Sequence, residues 1–290
     1  MNLDLPSVPP SAERVSCPLC SADEPVLWAQ DNGYTAQRCG ACRFVYVSPR
    51  PSLATIDEAS QTGLHQTERG VYDAVSVSGF SRRKVRMFEE RLGTLFPDGR
   101  LTQRPVRWLD VGCGFGELVA AVEAVSHPGS EVTGIDPCRP KVDVGRRKGL
   151  SVSDDQLEDV GEGYDVISLV NVFSHLPDPI AFLGRLRDML APSGELVLVT
   201  GNGADVEYAD YPDPLLLPDH LVFAGEQHLV TAMRRLEMSV LKIERYDHFY
   251  RDPLPLFAAK YAAKRVLGRP VASWSSRSAF RSVFMRARVD

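Results

Sequence analysis

The sequence contains no apolar run that approaches the roughly 18 residues needed to cross a bilayer, so we expect no transmembrane helix. No repeat and no low-complexity tract interrupts it. Residues 1–16 lack both a positively charged segment and an apolar core, so we expect a flexible tail rather than an export signal, and a cytoplasmic protein. Positive charge is also in short supply, because 33 Lys and Arg face 38 Asp and Glu. The net charge of −5 argues against a nucleic-acid partner that is bound by charge alone.

The amino-acid composition is that of a globular protein. Of the 290 residues, 44% are hydrophobic and 24% are charged, which excludes wholesale disorder and the collagen-like and coiled-coil classes. A chain of this length forms one large domain or two small ones. These numbers do not predict the oligomeric state.

Four of the six cysteines form two pairs, Cys17–Cys20 and Cys39–Cys42, with 18 residues between the pairs. This spacing is typical of a tetrahedral zinc site, because a two-residue gap lets a tight turn direct two thiolates at one ion. Two disulfides or four free thiols are the alternatives, and the missing export signal argues against disulfides. Cysteine at all four positions leaves no open coordination position, so the predicted Zn²⁺ is structural.

Residues 17–51 are therefore predicted to form a zinc ribbon, with Gly40 suited to the turn of the second pair. Because metal binding adds to the free energy of folding, Cys39→Ser is expected to loosen this ribbon. We expect the ribbon to be distant from the rest of the protein, so that the change leaves the second domain largely intact. Residues 52–104 are predicted as a linker with short helices, followed by a helical cap that begins at Ser81.

From residue 105 onward, predicted strands alternate with predicted helices, which indicates a parallel sheet that is covered on both faces. The strands are predicted at 106–111, 131–136, 150–153, 164–170, 195–200, 239–245 and 282–289. The helices are predicted at 117–125, 140–148 and 179–190. Residues 105–290 are thus predicted as one α/β domain, with an insertion at about 247–280 before the last strand.

A glycine loop follows the first of these strands and is the strongest functional motif. The strand ends at Asp110, and the helix begins after Gly112, Gly114 and Gly116. Glycines let the backbone pass close to a ligand and leave the helix N-terminus open to a negative group. Asp136 ends the next strand, 20 residues after Gly116, which is the usual distance for an acid that binds ribose hydroxyls.

The spacing D-x-G-x-G-x-G differs from the dinucleotide fingerprint G-x-G-x-x-G, and here the chain resembles the class I S-adenosylmethionine (SAM) dependent methyltransferases. The resemblance covers roughly residues 105–245. It implies a Rossmann-like, seven-stranded sheet that is mostly parallel with an antiparallel last strand. The ribbon, with Ser48-Pro-Arg-Pro51 behind it, resembles a zinc-ribbon subgroup of this superfamily that is linked to tailoring of sugars, polysaccharides or secondary metabolites.

The resemblance also implies the roles of individual residues. Asp110 and the three glycines, Gly112, Gly114 and Gly116, would hold the methionine part of SAM, and Asp136 would hold the ribose. The adenine would be bordered by Asp155, Gln156 and Leu157. Asn171, at the end of the fourth strand, would face the SAM pocket or cap the strand. The chain departs from the family at Ser174-His175, where relatives often have Glu-His.

A hydroxyl acceptor needs a general base, and histidine has a suitable pKa. His175 and His220 are the candidates, because they lie at or above carboxyl ends of strands, and Asp219 is the expected orienting partner of His220. Either histidine can also simply cap or pack a loop. The remaining histidines are expected at the surface: His65, His127, His228 and His248.

We therefore expect SAM-dependent methylation, with oxygen favoured, of a small-molecule acceptor that is sugar-containing or a secondary metabolite. Two alternatives stay open: an rRNA or tRNA methyltransferase, and a non-catalytic module with the same fold. Residues 1–51 carry 4 basic and 5 acidic side chains, which offers no cationic ribbon surface to RNA. The complete glycine motif argues against a non-catalytic module.

The insertion at 247–280 and the last strand carry most of the local positive charge. Residues 260–290 contain 8 basic side chains and 1 acidic one, a local charge of +7, and a helix is predicted at 255–267. One interpretation is a solvated helix that balances an acidic body. A second is that the segment meets an anionic acceptor, such as a nucleotide- or phosphate-linked sugar. A third is docking on an anionic membrane surface.

Overall fold

The computed structural model describes residues 12–67, 70–73, 75, 79–211, 215–247, 259, 262–263, 266 and 280–290. The strands are β1 (Pro25–Asp31), β2 (Tyr34–Cys39), β3 (Val45–Val47), β4 (Leu64–Thr67), β5 (Gly70–Asp73), β6 (Arg107–Val111), β7 (Glu131–Ile135), β8 (Val152–Ser153), β9 (Tyr164–Val170), β10 (Leu190–Gly201), β11 (Val222–Phe223), β12 (Met238–Asp247) and β13 (Arg281–Val289). The α-helices are α1 (Leu53–Thr62), α2 (Arg82–Leu95), α3 (Arg100–Gln103), α4 (Glu117–Val125), α5 (Arg139–Arg146), α6 (Pro179–Asp188) and α7 (Glu226–Arg235).

Seven strands form the central sheet in the order β12–β13–β10–β9–β6–β7–β8. The pairs from β10 to β8 are parallel, whereas β13 runs antiparallel to both β10 and β12. This arrangement confirms the predicted Rossmann-like α/β sheet, which is mostly parallel and has an antiparallel last strand. The carboxyl ends of β6, β7 and β9 therefore meet at one edge of the sheet.

Side chains alternate between two cores along each central strand, because successive residues of a strand point to opposite faces. In β10, Leu196 and Leu198 lie in the core that α6 and α7 cover, whereas Val197 and Val199 lie in the core that α2 and α4 cover. A strand that is buried on both faces is apolar throughout, so its position is visible as a continuous run in the sequence.

The region after the ribbon is more regular than the linker that its composition predicts. The Ser52 hydroxyl caps α1 by accepting the Thr55 N–H at 3.3 Å, and the helix ends at Gly63, whose φ is +73°. β4 and β5 then pair as an antiparallel hairpin. No residue of α1, which is described throughout, is buried, so no apolar stripe marks the helix in the sequence.

The N-terminal sheet is completed by a strand from the second half of the chain. β1, β2 and β3 pair in order, and β11 pairs antiparallel with β3, with Val222 opposite Tyr46. Phe44 and Tyr46 are fully buried in the same core as α6 and α7. The expectation that the ribbon lies at a distance from the α/β domain is therefore wrong. A unit of about 35 residues has too little interior of its own and buries its apolar side chains against a larger neighbour.

The long C-terminal insertion is flanked by the last two strands of the central sheet. β12 ends at Asp247 and β13 begins at Arg281, which agrees with the two strands predicted around the insertion. Of the predicted helix at 255–267, residues 259, 262, 263 and 266 are described and are helical, and the rest of the predicted helix and nearly all of the predicted insertion lie outside the described residues. Within the part of the chain that is described, no helix combines the length and the apolar character that a membrane span requires.

A buried ion-pair network joins β10 and β13 to the helices beneath them. The two carboxylate oxygens of Glu195 accept hydrogen bonds from Arg286, at 2.5 Å from Nε and 3.1 Å from Nη2. Arg100 Nη1 lies 2.6 Å from the same carboxylate. Glu195 is 1% exposed and Arg286 is 6% exposed. Arg286 also donates to the Leu95 carbonyl oxygen at 3.0 Å, so the network ties the antiparallel edge to α2.

We expect Glu195→Gln to destabilise the fold by about 3–5 kcal/mol, because Arg286 and Arg100 lose the buried counter-charge that they share and keep only Asp98 at 3.0 Å and Asp165 at 3.7 Å. Glu131→Gln is the control, since Glu131 pairs with Arg107 at 3.5 Å on the surface and should contribute below about 1 kcal/mol. Urea unfolding of both variants measures the difference. Equal unfolding midpoints for the two variants would contradict a structural role of this network.

Candidate functional site

A cavity of about 690 Å³ lies at the edge where β6, β7 and β9 end. The glycine loop and Asn171 form one side of it, and α1, β4 and the first turns of α2 form the other. Ligands of open α/β sheets bind at this edge, outside the carboxyl ends of the strands. Most of the residues proposed from the sequence line this cavity, and the segment first interpreted as a linker provides its opposite wall.

The glycine loop reaches the cavity through Gly114. Gly112 and Gly114 both have positive φ angles, +70° and +56°. A Cβ built on Gly112 would lie 2.2 Å from Val172, so this glycine is required for close packing. A Cβ built on Gly114 would meet nothing within 4 Å among the described residues, because it would point into open space. At Gly114 a ligand can therefore approach the backbone without meeting a side chain.

Asp110 lines the cavity, and its carboxylate is fixed by a hydrogen bond from the neighbouring strand β9. Its Oδ1 accepts a hydrogen bond from the Ser168 hydroxyl at 2.6 Å, and Ser168 in turn accepts one from Trp108 Nε1 at 2.8 Å. Burial raises the pKa of Asp110 to about 7, and the charges of Asp136 and Glu117 add to this rise against the opposing hydrogen bond from Ser168. A positive group that enters the cavity would favour the charged form of Asp110.

Asp136 joins the end of β7 to the glycine loop. Its Oδ2 accepts the Gly114 N–H at 2.8 Å, and its Oδ1 accepts the Cys138 N–H at 2.9 Å. Each carboxylate oxygen can accept a second hydrogen bond, so the side chain is fixed in place and still able to bind ligand hydroxyls. This position fits the predicted ribose contact, which stays a prediction.

Glu117 is a cavity residue that the sequence analysis missed. It begins α4, is 5% exposed, and its Oε1 accepts the Ser81 N–H at 3.1 Å. Lys84 Nζ lies 3.6 Å from the same oxygen. Glu117 thus anchors the start of α2 over the glycine loop. The available signal was an acidic residue directly after the last loop glycine, where the helix N-terminus favours negative charge.

The segment predicted to border the adenine does not line the cavity. Asp155 accepts a hydrogen bond from the Ser153 hydroxyl at 2.7 Å, and Leu157 is buried in the core. Gln156, between them, is exposed. β8 has two residues only, and the chain after it turns back onto the sheet because Leu157 is apolar and packs inward. Asn171, in contrast, lines the cavity with a φ of +55°.

A cluster of imidazole groups surrounds the Asp219 carboxylate on the other side of the cavity. His175 Nδ1 lies 2.8 Å from Asp219 Oδ1 and 2.9 Å from the Asp219 carbonyl oxygen. His65 Nε2 lies 3.3 Å from Asp219 Oδ1. The His175 and His220 rings are 4.9 Å apart. Asp219 therefore orients His175 and contacts His65, and the expected pairing of Asp219 with His220 is not present.

The His175 contacts decide its tautomer. Both Asp219 atoms near Nδ1 are hydrogen-bond acceptors, so Nδ1 carries a proton and Nε2 is the nitrogen that can accept one. The Leu221 N–H donates to the Ser174 carbonyl oxygen at 2.7 Å and thereby holds the Asp219 loop against the short helical turn that contains His175. Two segments distant in sequence are in this way fixed to each other.

The histidines of this cluster differ in their proton affinity. Burial lowers the pKa of His175, but the charge and hydrogen bonds of Asp219 raise it more, so the net shift is upward. Burial, with the nearby charge of His175, lowers the pKa of His220 to about 4. Burial also lowers the pKa of His65, which Asp219 offsets in part. At neutral pH, His175 is therefore the strongest base of the three.

The remaining histidines were expected at the surface, and two of the four lie elsewhere. His65 is in the cluster, and its side chain is only 13% exposed. His228 links α7 to the ribbon, because its Nδ1 accepts the Gly225 N–H at 2.8 Å and its Nε2 donates to the Cys42 carbonyl oxygen at 2.7 Å. His127 is outside the cavity, and His248 lies outside the described residues. Surface positions were inferred from local polarity, which does not reveal contacts between distant segments.

The four ribbon cysteines converge on one point. Their sulfur atoms lie within 4.8 Å of one another, and the Cys17–Cys42 and Cys20–Cys39 sulfur pairs are both 3.6 Å apart. None of them forms a disulfide. Each pair closes a turn in which the first cysteine carbonyl accepts an N–H from four residues later, and that later residue has a positive φ. These residues are Ser21 and Arg43, so the expected turn role of Gly40 is wrong.

Comparison with known proteins agrees with this fold. Residues 80–243, more than half of the chain, match the family described as a methyltransferase domain, and the chain belongs to that family. The ubiquinone biosynthesis O-methyltransferase of Ruegeria pomeroyi is 32% identical over 120 residues, which cover 37% of this chain and 47% of that protein. The protein of the same name from Xanthomonas oryzae is 33% identical over 125 residues, which cover 39% and 51%. The chain spans about half the length of the curated relatives that it matches.

Two solved structures show the same fold. A putative sarcosine dimethylglycine methyltransferase from Galdieria sulphuraria superposes with a TM-score of 0.51, at 17% identity, over 72% of this chain and 91% of that one. The [4+2]-cyclase SpnF superposes with a TM-score of 0.50, at 19% identity, over 73% and 83%. A cyclase and a methyltransferase thus share this architecture, so the chemistry of this chain has to be argued from its own site.

Proposed function

We propose that this protein transfers the methyl group of SAM to a hydroxyl group of a small-molecule acceptor. The observation that carries this proposal is that one cavity joins a bare glycine loop to a histidine whose Nδ1 is held by a carboxylate. Membership of the methyltransferase domain family supports the reaction class. The names of the matched relatives support oxygen as the acceptor atom. A sugar-containing or secondary-metabolite acceptor is the finer part of the proposal and rests on the resemblance of the ribbon.

The cavity residues fit SAM. Gly114 leaves space where a side chain would stand, Asp136 offers carboxylate lone pairs for ribose hydroxyls, and Asp110 is a carboxyl group that a neighbouring positive charge would ionise. Asn171 closes the same side of the cavity. When bound, SAM supplies an electrophilic methyl carbon. Asp155, Gln156 and Leu157 are left out of the proposed site because they lie away from the cavity.

His175 is proposed as the general base, and His220 is not. His175 Nε2 accepts the proton of the acceptor hydroxyl while Nδ1–H stays bonded to Asp219, whose charge stabilises the imidazolium that forms. The rest of the catalytic effect comes from alignment, because a displacement at a methyl carbon requires the reacting atoms in line. The neutral His220 ring packs beside His175 and limits its movement.

We further propose that the ribbon cysteines bind one structural Zn²⁺. In a tetrahedral site with Zn–S bonds of about 2.3 Å, sulfur atoms stand about 3.8 Å apart, close to the 3.6 Å of the two pairs. The four ligands are Cys17, Cys20, Cys39 and Cys42.

Gly114→Val should abolish binding of SAM and S-adenosylhomocysteine, because a branched side chain would occupy the open space beside the loop. Gly149→Val is the matched control: Gly149 also has a positive φ, +81°, and open surroundings, but it lies outside the cavity. Both variants bear a similar backbone strain of about 1–3 kcal/mol. Calorimetry with S-adenosylhomocysteine should show binding to wild type and Gly149→Val only, and wild type that fails to bind would refute the proposed function.

His175→Ala should lower turnover by about 10²–10⁴-fold with little change in the affinity for SAM, as expected for loss of a general base. His127→Ala, outside the cavity, is the control. Release of S-adenosylhomocysteine over a panel of phenols and glycosides measures turnover. Wild-type turnover in His175→Ala would leave alignment as the sole source of catalysis.

Asp219→Asn should shift the acid limb of the pH–rate profile to lower pH by about 1–3 units, since it removes the charge that raises the pKa of His175. The groups that remain around His175 all lower its pKa or are neutral: burial, the Lys141 charge, and the rings of His65 and His220. The wild-type rate should rise with pH as His175 loses its proton. An unchanged acid limb in Asp219→Asn would show that another group acts as the base.

Cys39→Ser should remove the zinc, which elemental analysis of protein purified without chelator should find at one ion per wild-type chain. Cys138→Ser is the control, because Cys138 is buried away from the cluster and should leave the zinc content unchanged. Cys39→Ser should also lower the unfolding temperature and the turnover, since β3 holds the segment that follows His220. Zinc-free wild type that is fully stable would contradict this assignment.

A further inference from the structure

The buried charged side chains of the cavity are matched within the chain, whereas Glu58 of α1 lines it as an exposed carboxylate. Every buried carboxylate that lines it has a partner among the described residues, as set out above: Asp110 with Ser168, Asp136 with two backbone N–H groups, Glu117 with Ser81 and Lys84, and Asp219 with His65 and His175. Lys141 also lines the cavity, and its ammonium group has no ion-pair partner in the part of the chain that the structure describes.

Lys141 lines the same cavity as the proposed base. It is the third residue of α5, one turn after Asp136 and Pro137, and it is half-buried. His65 and His175 line the same cavity, and the Lys141 charge lowers the pKa of both histidines. A cation inside a concave, low-dielectric wall draws in an anion more strongly than a cation on an open surface does.

We propose that Lys141 recognises an anionic group, a carboxylate or a phosphate, on the acceptor whose hydroxyl is placed at His175. This inference rests on the proposed function and names the acceptor class within it. The sequence suggested that residues 260–290 recognise an anionic acceptor. This proposal gives that role to Lys141 of α5 instead, and α5 connects β7 and β8 at the other end of the strand order from β12 and β13. Lysine suits this task because its ammonium is a compact point charge that binds either anion without a fixed geometry.

The same contact would adjust the base. While Lys141 is unpaired, its charge disfavours the imidazolium form of His175. An acceptor anion beside Lys141 neutralises that charge, so the proton affinity of His175 increases when an anionic acceptor is in place. Neutral acceptors would lack both the direct attraction and this effect. Anionic acceptors would therefore bind more tightly than neutral ones and would also be turned over faster.

The test measures binding to protein saturated with S-adenosylhomocysteine. The probes are 3,4-dihydroxybenzoate against its methyl ester, and glucose 1-phosphate against glucose, so that carboxylate and phosphate are examined separately. Calorimetry at low and high salt compares wild type with Lys141→Met. Lys148→Met is the control, because Lys148 lies just beyond the same helix, outside the cavity, where its ammonium stacks on Phe80 at 4.6 Å from the ring centroid.

We expect one of the anionic probes to bind wild type and Lys148→Met, more weakly at high salt, and to bind Lys141→Met about 10- to 100-fold more weakly. The neutral probes should bind all three proteins alike. Equal binding of anionic and neutral probes, an unchanged affinity in Lys141→Met, or no binding of either anionic probe would overturn the inference. If wild type binds no S-adenosylhomocysteine, the proposed function is refuted. If wild type transfers methyl groups without selectivity for anionic acceptors, only this inference is refuted.

Discussion

Carboxylates that are buried at the ligand-binding edge of the sheet must each find a partner, and this requirement organises the molecule around its cavity. An unpaired buried charge costs several kcal/mol, so each acid draws a different segment to the same edge. Asp110 fixes β6 to β9 through Ser168, and Asp136 fixes β7 to the glycine loop. Glu117 holds the start of α2, and Asp219 holds the turn that follows β9. The shape of the cavity thus depends on the hydrogen bonds and ion pairs of these carboxylates as much as on apolar packing.

The sequence predicted the parts of the fold whose signals are local. β9 at 164–170 and α4 at 117–125 were predicted with the same bounds as in the structure, because one is a continuous apolar run and the other begins at a glycine loop. The loop glycines, Asp110 and Asp136 are visible in the sequence for the same reason, and their contacts with a ligand stay predictions. The bounds of α1 could not be predicted since none of its residues is buried, and the predicted adenine segment lies away from the cavity since its last residue, Leu157, packs inward.

Contacts between distant segments account for what the sequence did not predict. Asp219 was paired with its neighbour His220, whereas the fold brings it to His175, which is 44 residues away. His65 was taken for a surface residue because nothing in its own segment indicates that Asp219 lies opposite. The identity of a base can be proposed from a sequence, but its orienting group depends on how loops meet.

The pairing of β11 with β3 has a consequence for how the chain acquires its structure. β3 ends before residue 50, and β11 is formed by Val222–Phe223, so more than half of the chain separates the two strands. During synthesis the N-terminal sheet is therefore incomplete until Phe223, about three quarters of the way along the 290 residues, has left the ribosome. Contacts of such long range slow folding, and until they form Phe44 and Tyr46 have no interior to enter. Phe44 and Tyr46 are thus made early and reach their final environment late.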